Sequence, residues 1–243
     1  MESSAATSFL STRRGRLVLL LMCAAGFLDF VDTTIVNVAM PSIRSHLHFS
    51  VQNLQWTVSA YLLTYGGLLL LGGRTGDLIG RRRLLIAGTT LFGLASVICG
   101  LATGQMMLIV ARLAQGAGAA MMTPAALSII TTSFPDGEER VKAIGAWSAT
   151  IPIASAFGVL AGGLLSQGPG WRWVFFVNIP ICAVVIFGAI RLIDHDAKSM
   201  GHGAFDVPGA VLSTVGMLVL VYTLVRAPAV SYTHLTLPTI LLV

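Results

Sequence analysis

Seven long apolar runs dominate this sequence, near residues 17–40, 56–73, 84–102, 106–130, 141–166, 173–193 and 208–225. A helix needs about 17 to 25 residues to cross a hydrocarbon core of roughly 30 Å, and each run reaches that length. Strands of a membrane barrel alternate apolar and polar residues over about ten positions; these runs do not alternate, so helices are expected. The fold class is therefore an all-α polytopic membrane protein. Composition points the same way. Charged residues make up 10% of the 243-residue chain where a soluble domain carries about 25%, and the mean hydropathy is +0.84. The 26 glycines suit packed membrane helices, whose backbones approach through small residues. The formal charge of +5 gathers in short clusters between the runs instead of spreading over one face, so no nucleic-acid partner is expected. The lipid bilayer is the expected surrounding partner.

Residues 1–16 form a basic tail. Arg13, Arg14 and Arg16 before the first run resemble the start of a signal peptide, but the run is longer than a signal core, holds two aspartates and lacks an A-x-A cleavage site. It is read as a retained helix. With the N-terminus inside, the inner segments carry Arg13, Arg14, Arg16, Arg74, Arg81, Arg82, Arg83, Arg140, Lys142, Arg191 and Lys198. The outer segments carry Arg44, Arg172 and Arg226, and Arg112 lies within a span. Eleven against three predicts a cytoplasmic N-terminus. Six spans over 17–193 make a bundle, 194–207 a cytoplasmic loop, and 208–229 a seventh helix. Pro41 is expected to end the first span, and Pro124 and Pro152 to bend the spans that contain them. Cys23, Cys99 and Cys182 each lie in an apolar run and are read as packing residues, with neither disulfide nor metal site expected.

A charge at the bilayer centre costs at least about 2.5–3.5 kcal/mol on insertion scales. Three ionisable side chains fall well inside spans: Asp29, Asp32 and Arg112. Asp29 and Asp32, three apart, share a helix face. Two carboxyls so close in a poor dielectric repel, and a carboxyl that gains and loses a proton near neutrality is what proton coupling requires. The alternative is a structural ion pair. Arg112, Gln115, Gly116, Ala119 and Thr123 fall on one face of the fourth span, and a buried arginine needs a carboxylate partner whatever the function. The segment from Gly72 to Arg83 is read as a loop. Its glycines at 72, 76 and 80 allow a tight turn, and Asp77 can pair with a guanidinium or cap a helix.

This loop resembles the G-x-L-A-D-R-x-G-R-R/K signature of major facilitator superfamily transporters, carried by Gly73, Asp77, Gly80, Arg81 and Arg82, with Leu78 where an arginine is usual. Residues 31–41 (VDTTIVNVAMP) resemble the first-helix motif L-D-x-T-x-V-N-V-A-x-P of the fourteen-helix drug:proton antiporters. Arg112, Gln115, Gly116 and Gly118 resemble R-x-x-Q-G-x-G, and residues 171–180 resemble W-R-W-x-F-x-x-N-x-P. The fifth-helix pattern G-x-x-x-G-P-x-x-G-G keeps Gly158, Gly162 and Gly163, with Ala154 and Val159 replacing a glycine and the proline.

The resemblance implies the N-terminal six-helix half of a major facilitator fold, exporting small amphiphilic or drug-like compounds against a proton gradient, with no bound cofactor, in a bacterial cytoplasmic membrane. It assigns proton coupling to Asp32 and Arg112, to which the shared helix face adds Asp29, and a conformational latch to Asp77 and Arg81 within the signature that Gly73, Gly80 and Arg82 complete. Asn37, Trp56, Tyr61, Tyr65 and Gln115 would line the small-molecule cavity, where aromatic faces suit cations; lipid-facing positions are the alternative for the aromatics. Gly116, Gly158, Gly162 and Gly163 would serve helix packing. Trp171 and Trp173 are read as interfacial anchors.

A transporter of this kind rocks two halves around a central site, so a C-terminal half of the same chain is expected beyond this sequence. Residues 230–243 show no family pattern. Residues 230–239 match the translation of a transposase sequencing adaptor and are read as a non-native tail. An uptake symporter of the same fold is the alternative, and a seven-helix receptor is the alternative of another class. No nucleophile–base pair, nucleophile elbow or phosphate loop argues for an enzyme.

Overall fold

The computed structural model describes residues 9–134, 137–194 and 207–226. A 3-10 turn at Phe9–Ser11 leads into α1 (Arg13–Leu47), followed by α2 (Val51–Leu54), α3 (Trp56–Ile79), α4 (Arg81–Gly100), α5 (Gln105–Ser133), α6 (Glu138–Gln167), α7 (Trp173–Phe176), α8 (Asn178–Leu192) and α9 (Val207–Arg226). There is no strand among the described residues. Among the described residues, six segments are long and apolar enough to cross a membrane, with α2–α3 and α7–α8 each counting as one. The helix α9 lies where the seventh run was expected; the tail 230–243 and most of the loop 194–207 lie outside the described residues.

Two boundaries differ from expectation. The first helix does not stop at Pro41, but continues to Leu47. Proline removes one backbone donor, yet Ala39, Ile43 and Leu47 carry the buried stripe of α1 onward into one apolar cluster with Phe49 and Leu108. His48, at φ 54°, ends the helix, its N–H bonded to the Arg44 carbonyl. The segment 72–83 is not an open loop either. Helix α3 runs through Gly72, Gly73 and Gly76 to Ile79, and α4 starts at Arg81. Gly80 alone turns the chain, at φ 98°, a conformation that a Cβ would strain.

Helix α5 is the centre of one layer. A Cβ on Gly88 of α4 would lie 2.8 Å from the Gly118 carbonyl oxygen, and one on Gly118 would lie 2.8 Å from that of Gly88. On the other side of α5, a Cβ on Gly116 would reach 2.3 Å from the Tyr61 carbonyl oxygen of α3. Helix α6 packs on α1, where Cβ atoms on Gly158 and Gly162 would press on Thr34 and Val38 at 2.8 and 2.9 Å. Gly163 departs from its expected packing role: a Cβ there meets nothing within 4 Å, because it points away from the face that its neighbour Gly162 gives to α1.

Two apolar clusters fill the bundle. One, toward the arginine-rich end, joins Val18, Met22, Leu28, Phe92, Ile129 and Phe134; the other, toward the opposite end, joins Ile35, Ile43, Leu108, Trp171 and Phe175. Trp171 is thus a core residue, 1% exposed, while Trp173 is half exposed. The Arg172 guanidinium lies 4.7 Å from the Trp171 ring centroid and donates to the Ala102 carbonyl at 3.1 Å, which keeps Trp171 turned inward. Along α1, the buried aspartates sit where the two clusters meet.

Candidate functional site: a buried polar network between five helices

Asp32 of α1 is fully buried and accepts from three side chains. Arg112 Nη1 donates to Oδ2 at 2.6 Å. Gln115 Nε2 and Asn178 Nδ2 each donate to Oδ1 at 2.8 Å. Arg112 also donates to Gln115 Oε1 at 2.7 Å and to the Thr57 carbonyl at 3.0 Å. Ser96 of α4 accepts from Gln115 at 2.8 Å and from Asn178 at 3.3 Å. The network therefore draws on α1, α3, α4, α5 and α8. Its central ion pair has side chains 1% and 0% exposed. Desolvating two such charges costs several kcal/mol per ion, recovered only when the remaining polar atoms are also bonded. The amides of Gln115 and Asn178 provide that around the carboxylate. Asn178 Oδ1 and Thr57 Oγ1 stay buried with no hydrogen-bond partner among the described residues.

Asp29, one turn earlier, sits in different company. The Tyr61 hydroxyl donates to its Oδ1, and Thr123 donates to Oδ2 at 3.2 Å. Tyr61 stacks on Tyr65 at 5.8 Å and lies with its ring 4.3 Å from the Arg112 guanidinium carbon. The 3-residue spacing of the aspartates and the Arg112/Gln115/Thr123 face of α5 supply these positions, and the Gly116 contact brings α3 close enough for Tyr61 to meet both.

The other sequence-singled residues scatter. Gln115 and Tyr61, expected in a cavity wall, are buried within the network because their polar groups are spent on Asp32, Ser96 and Asp29. Tyr65 and Trp56 are half-buried, Trp56 with its ring 6.3 Å from Tyr222 of α9. Asn37 is exposed and donates to the Thr33 carbonyl of its own helix at 2.8 Å. At the arginine-rich end, Asp77 is exposed and Arg81 half-buried. Arg82 turns inward, giving Nε to the Ala189 carbonyl at 3.2 Å and Nη2 to that of Ile190 at 2.8 Å. Arg14 bonds the Leu192 carbonyl at 3.1 Å and Asp194 at 2.6 Å. Two arginines thus donate to carbonyls of the last turn of α8, beside the Ile193 N–H that also reaches Ala189, where a positive charge suits the helix end. A cavity of about 330 Å³ lies beside them, lined by Arg14, Arg81, Thr132, Ser133 and Asp194. Among the described residues, no three His, Cys, Asp or Glu side chains are grouped as a metal site.

Sequence reasoning missed Asn178 and Ser96. Counting only ionisable residues passes over them, although an uncharged amide or hydroxyl in hydrocarbon also needs a partner. Asn178, in the apolar run that becomes α8, was the available signal.

The sequence pattern of the Major Facilitator Superfamily matches residues 22–242. The chain belongs to that superfamily. It is a multi-pass membrane protein. It is 43% identical over 203 residues to the cephamycin export protein of Amycolatopsis lactamdurans, covering 83% of this chain and 42% of that one. It is 41% identical over 209 residues to the puromycin resistance protein of Streptomyces alboniger, covering 86% and 41%. The chain thus spans about two fifths of the length of these curated relatives. Among solved structures, it resembles an inward-facing bacterial homologue of the human lysosomal transporter Spinster, with TM-score 0.61, 26% identity, and 75% and 43% of the two chains covered. It also shares its fold with a peptide transporter, TM-score 0.65 at 14% identity, over 86% and 46%. Both matches cover less than half of the larger transporter, in keeping with the N-terminal half of the superfamily fold.

Proposed function

We propose that this chain is the N-terminal portion of a proton-coupled exporter of small amphiphilic or drug-like compounds, working by alternating access. The observation that carries the reading is the fully buried Asp32–Arg112 pair, which joins α1 to α5 and is bonded to α3 and α8 as well. So costly an arrangement inside a membrane marks an ion or substrate path far more often than a fastening. The export and resistance functions named for the relatives supply the direction of transport. In this reading residues 17–193 form the six-helix half, with 1–16, 194–207 and 208–229 as tail, loop and seventh helix, and 230–243 non-native. A second half, absent from this chain, completes the cavity over Tyr65, Trp56 and Asn37. Asp77 and Arg81 latch that half at the cytoplasmic face. The N-terminus is cytoplasmic in a bacterial inner membrane, and the proton gradient stands in place of any cofactor.

The test is drug accumulation in everted membrane vesicles carrying the protein at its natural length. Imposing a proton gradient is expected to drive uptake into these vesicles, which corresponds to export from cells, and Asp32→Asn is expected to abolish it. Gradient-driven transport that survives Asp32→Asn removes the coupling role; gradient-driven movement in the opposite direction assigns a symporter instead.

A further inference from the structure

The cavity of about 330 Å³ at the arginine-rich end takes no part in the buried network. Its size is near the lower end of ligand pockets, roughly 300–1,000 Å³. Helices α1, α4 and α5 and the end of α8 meet around it. Two guanidiniums line it, and neither is fully used. Arg81 is half-buried, and among the described residues it has no ion pair or hydrogen bond. Asp77, the acid that precedes it in sequence, is exposed. Arg14 gives Nε and Nη2 to the Leu192 carbonyl and Nη2 to Asp194, while its Nη1 has no partner among the described residues. The Asp194 side chain is 83% exposed, and an ion pair so open to water is weakly held. The Ser133 hydroxyl, also in the lining, has no hydrogen bond among the described residues. Arg81, Arg82 and Arg83 open α4, and that first turn holds no acid and no side-chain cap. A helix begins with unbonded N–H groups and a partial positive charge, so three cations there are repelled by it. Arg82 is drawn off to the α8 carbonyls, which leaves Arg81 uncompensated. Phe9, Val18, Ile129 and Ile193 give the cavity an apolar wall.

We infer that this cavity binds a phosphate-bearing anion between Arg14 and Arg81, with the Ser133 hydroxyl as a further donor. Phosphate oxygens suit a guanidinium, which offers them two parallel N–H groups. The apolar wall suits the carbon stem of a phosphate ester, so a phospholipid headgroup and free phosphate are the two sources. Basic pockets between membrane helices hold anionic headgroups at the cytoplasmic face. Binding requires Asp194 to give up Arg14, because a carboxylate beside the site opposes an anion. Arg14 keeps the Leu192 carbonyl meanwhile, so the end of α8 stays fastened. The site stands apart from proton coupling and from the direction of transport.

Thermal unfolding of the detergent-solubilised, natural-length protein tests the site, since an anion bound to the folded state raises the midpoint with its concentration. The probes are phosphatidylglycerol in mixed micelles, phosphatidylcholine as a lipid without net charge, and inorganic phosphate against chloride at equal ionic strength. Saturable stabilisation by phosphatidylglycerol, inorganic phosphate or both is expected. The apparent affinity is expected to fall about tenfold or more in Arg81→Gln and in Arg14→Gln, each of which removes charge-assisted bonds. Arg83→Gln removes an exposed charge close to Arg81 in sequence and is expected to leave the affinity within about twofold. Asp194→Asn is expected to tighten binding by about two- to fivefold, and this arm stands even if an arginine variant fails to fold. Stabilisation by phosphatidylglycerol alone assigns the lipid headgroup; inorganic phosphate, acting alone or displacing the lipid, assigns the free anion. No saturable effect of either phosphate probe, an equal effect of phosphatidylcholine, equal losses in Arg83→Gln and Arg81→Gln, or unchanged or weaker binding in Asp194→Asn overturns the site.

Discussion

Asn178 reaches Asp32 across 146 positions of sequence, its Nδ2 donating to Oδ1 at 2.8 Å with both side chains fully buried. That bond ties the start of the sixth span to the middle of the first. The Asp32 carboxylate is therefore held by α8 as well as by the α5 arginine.

Asn178→Leu keeps the volume close and removes the donor. We expect a loss of about 1–2 kcal/mol, the scale of hydrogen bonds between membrane helices in model peptides, read as earlier thermal unfolding of the detergent-solubilised protein. An unchanged midpoint means that Gln115 and Arg112 suffice to hold Asp32.

Arg112→Met leaves Asp32 buried without its cation, and stranding one member of a buried pair costs about 3–5 kcal/mol. Arg112→Met combined with Asp32→Asn is expected to recover most of that loss. A double-mutant cycle in unfolding free energy measures the coupling; simple additivity of the two changes excludes the pair as a unit.

Gly116 and Gly163 make a matched contrast. The Gly116 Cβ would strike the Tyr61 carbonyl oxygen of α3 at 2.3 Å, and nothing lies within 4 Å of the Gly163 Cβ. Gly116→Ala is expected to destabilise by about 1–3 kcal/mol through overpacking. Gly163→Ala is expected to stay within about 0.5 kcal/mol. Equal unfolding midpoints for the two variants contradict the close α3–α5 approach.

Arg82→Ala removes the side-chain donors to the Ala189 and Ile190 carbonyls at the end of α8 and leaves Ala189 with the Ile193 N–H. Hydrogen bonds from charged groups contribute about 1.5–3 kcal/mol, so amide exchange over the last turn of α8 is expected to quicken by about tenfold or more. Arg82→Lys is expected to restore only part of the protection, since an ammonium lacks the planar fork that serves two carbonyls at once. Unaltered exchange in Arg82→Ala assigns the capping to Arg14.

The spans were legible because hydropathy acts along the chain itself: an apolar run of sufficient length has nowhere else to go. The ends of the helices were less so. Pro41 looks like a stop in sequence, but the packing of Ile43 and Leu47 outweighs one lost backbone bond. The glycines of 72–76 look like a turn, yet they lie within a helix; Gly72, for one, would press a Cβ into the Ala120 carbonyl at 2.1 Å. Trp171 looks like an interfacial anchor, and only its neighbours show it to be core.

The site divides in the same way. Asp29, Asp32 and Arg112 stand out in the sequence because a charge in hydrocarbon is costly whatever surrounds it, and that cost alone says that a partner must exist. By itself the sequence determined that helices cross a bilayer, since only internally bonded segments survive there, and that two carboxyls must share one guanidinium. Which carboxyl receives it was decided by tertiary structure. The two aspartates are one turn apart on one face, equal by any local measure. The close seating of α3 on α5 at Gly116 and the arrival of Asn178 from α8 place the arginine and the amides around Asp32 and leave hydroxyls for Asp29.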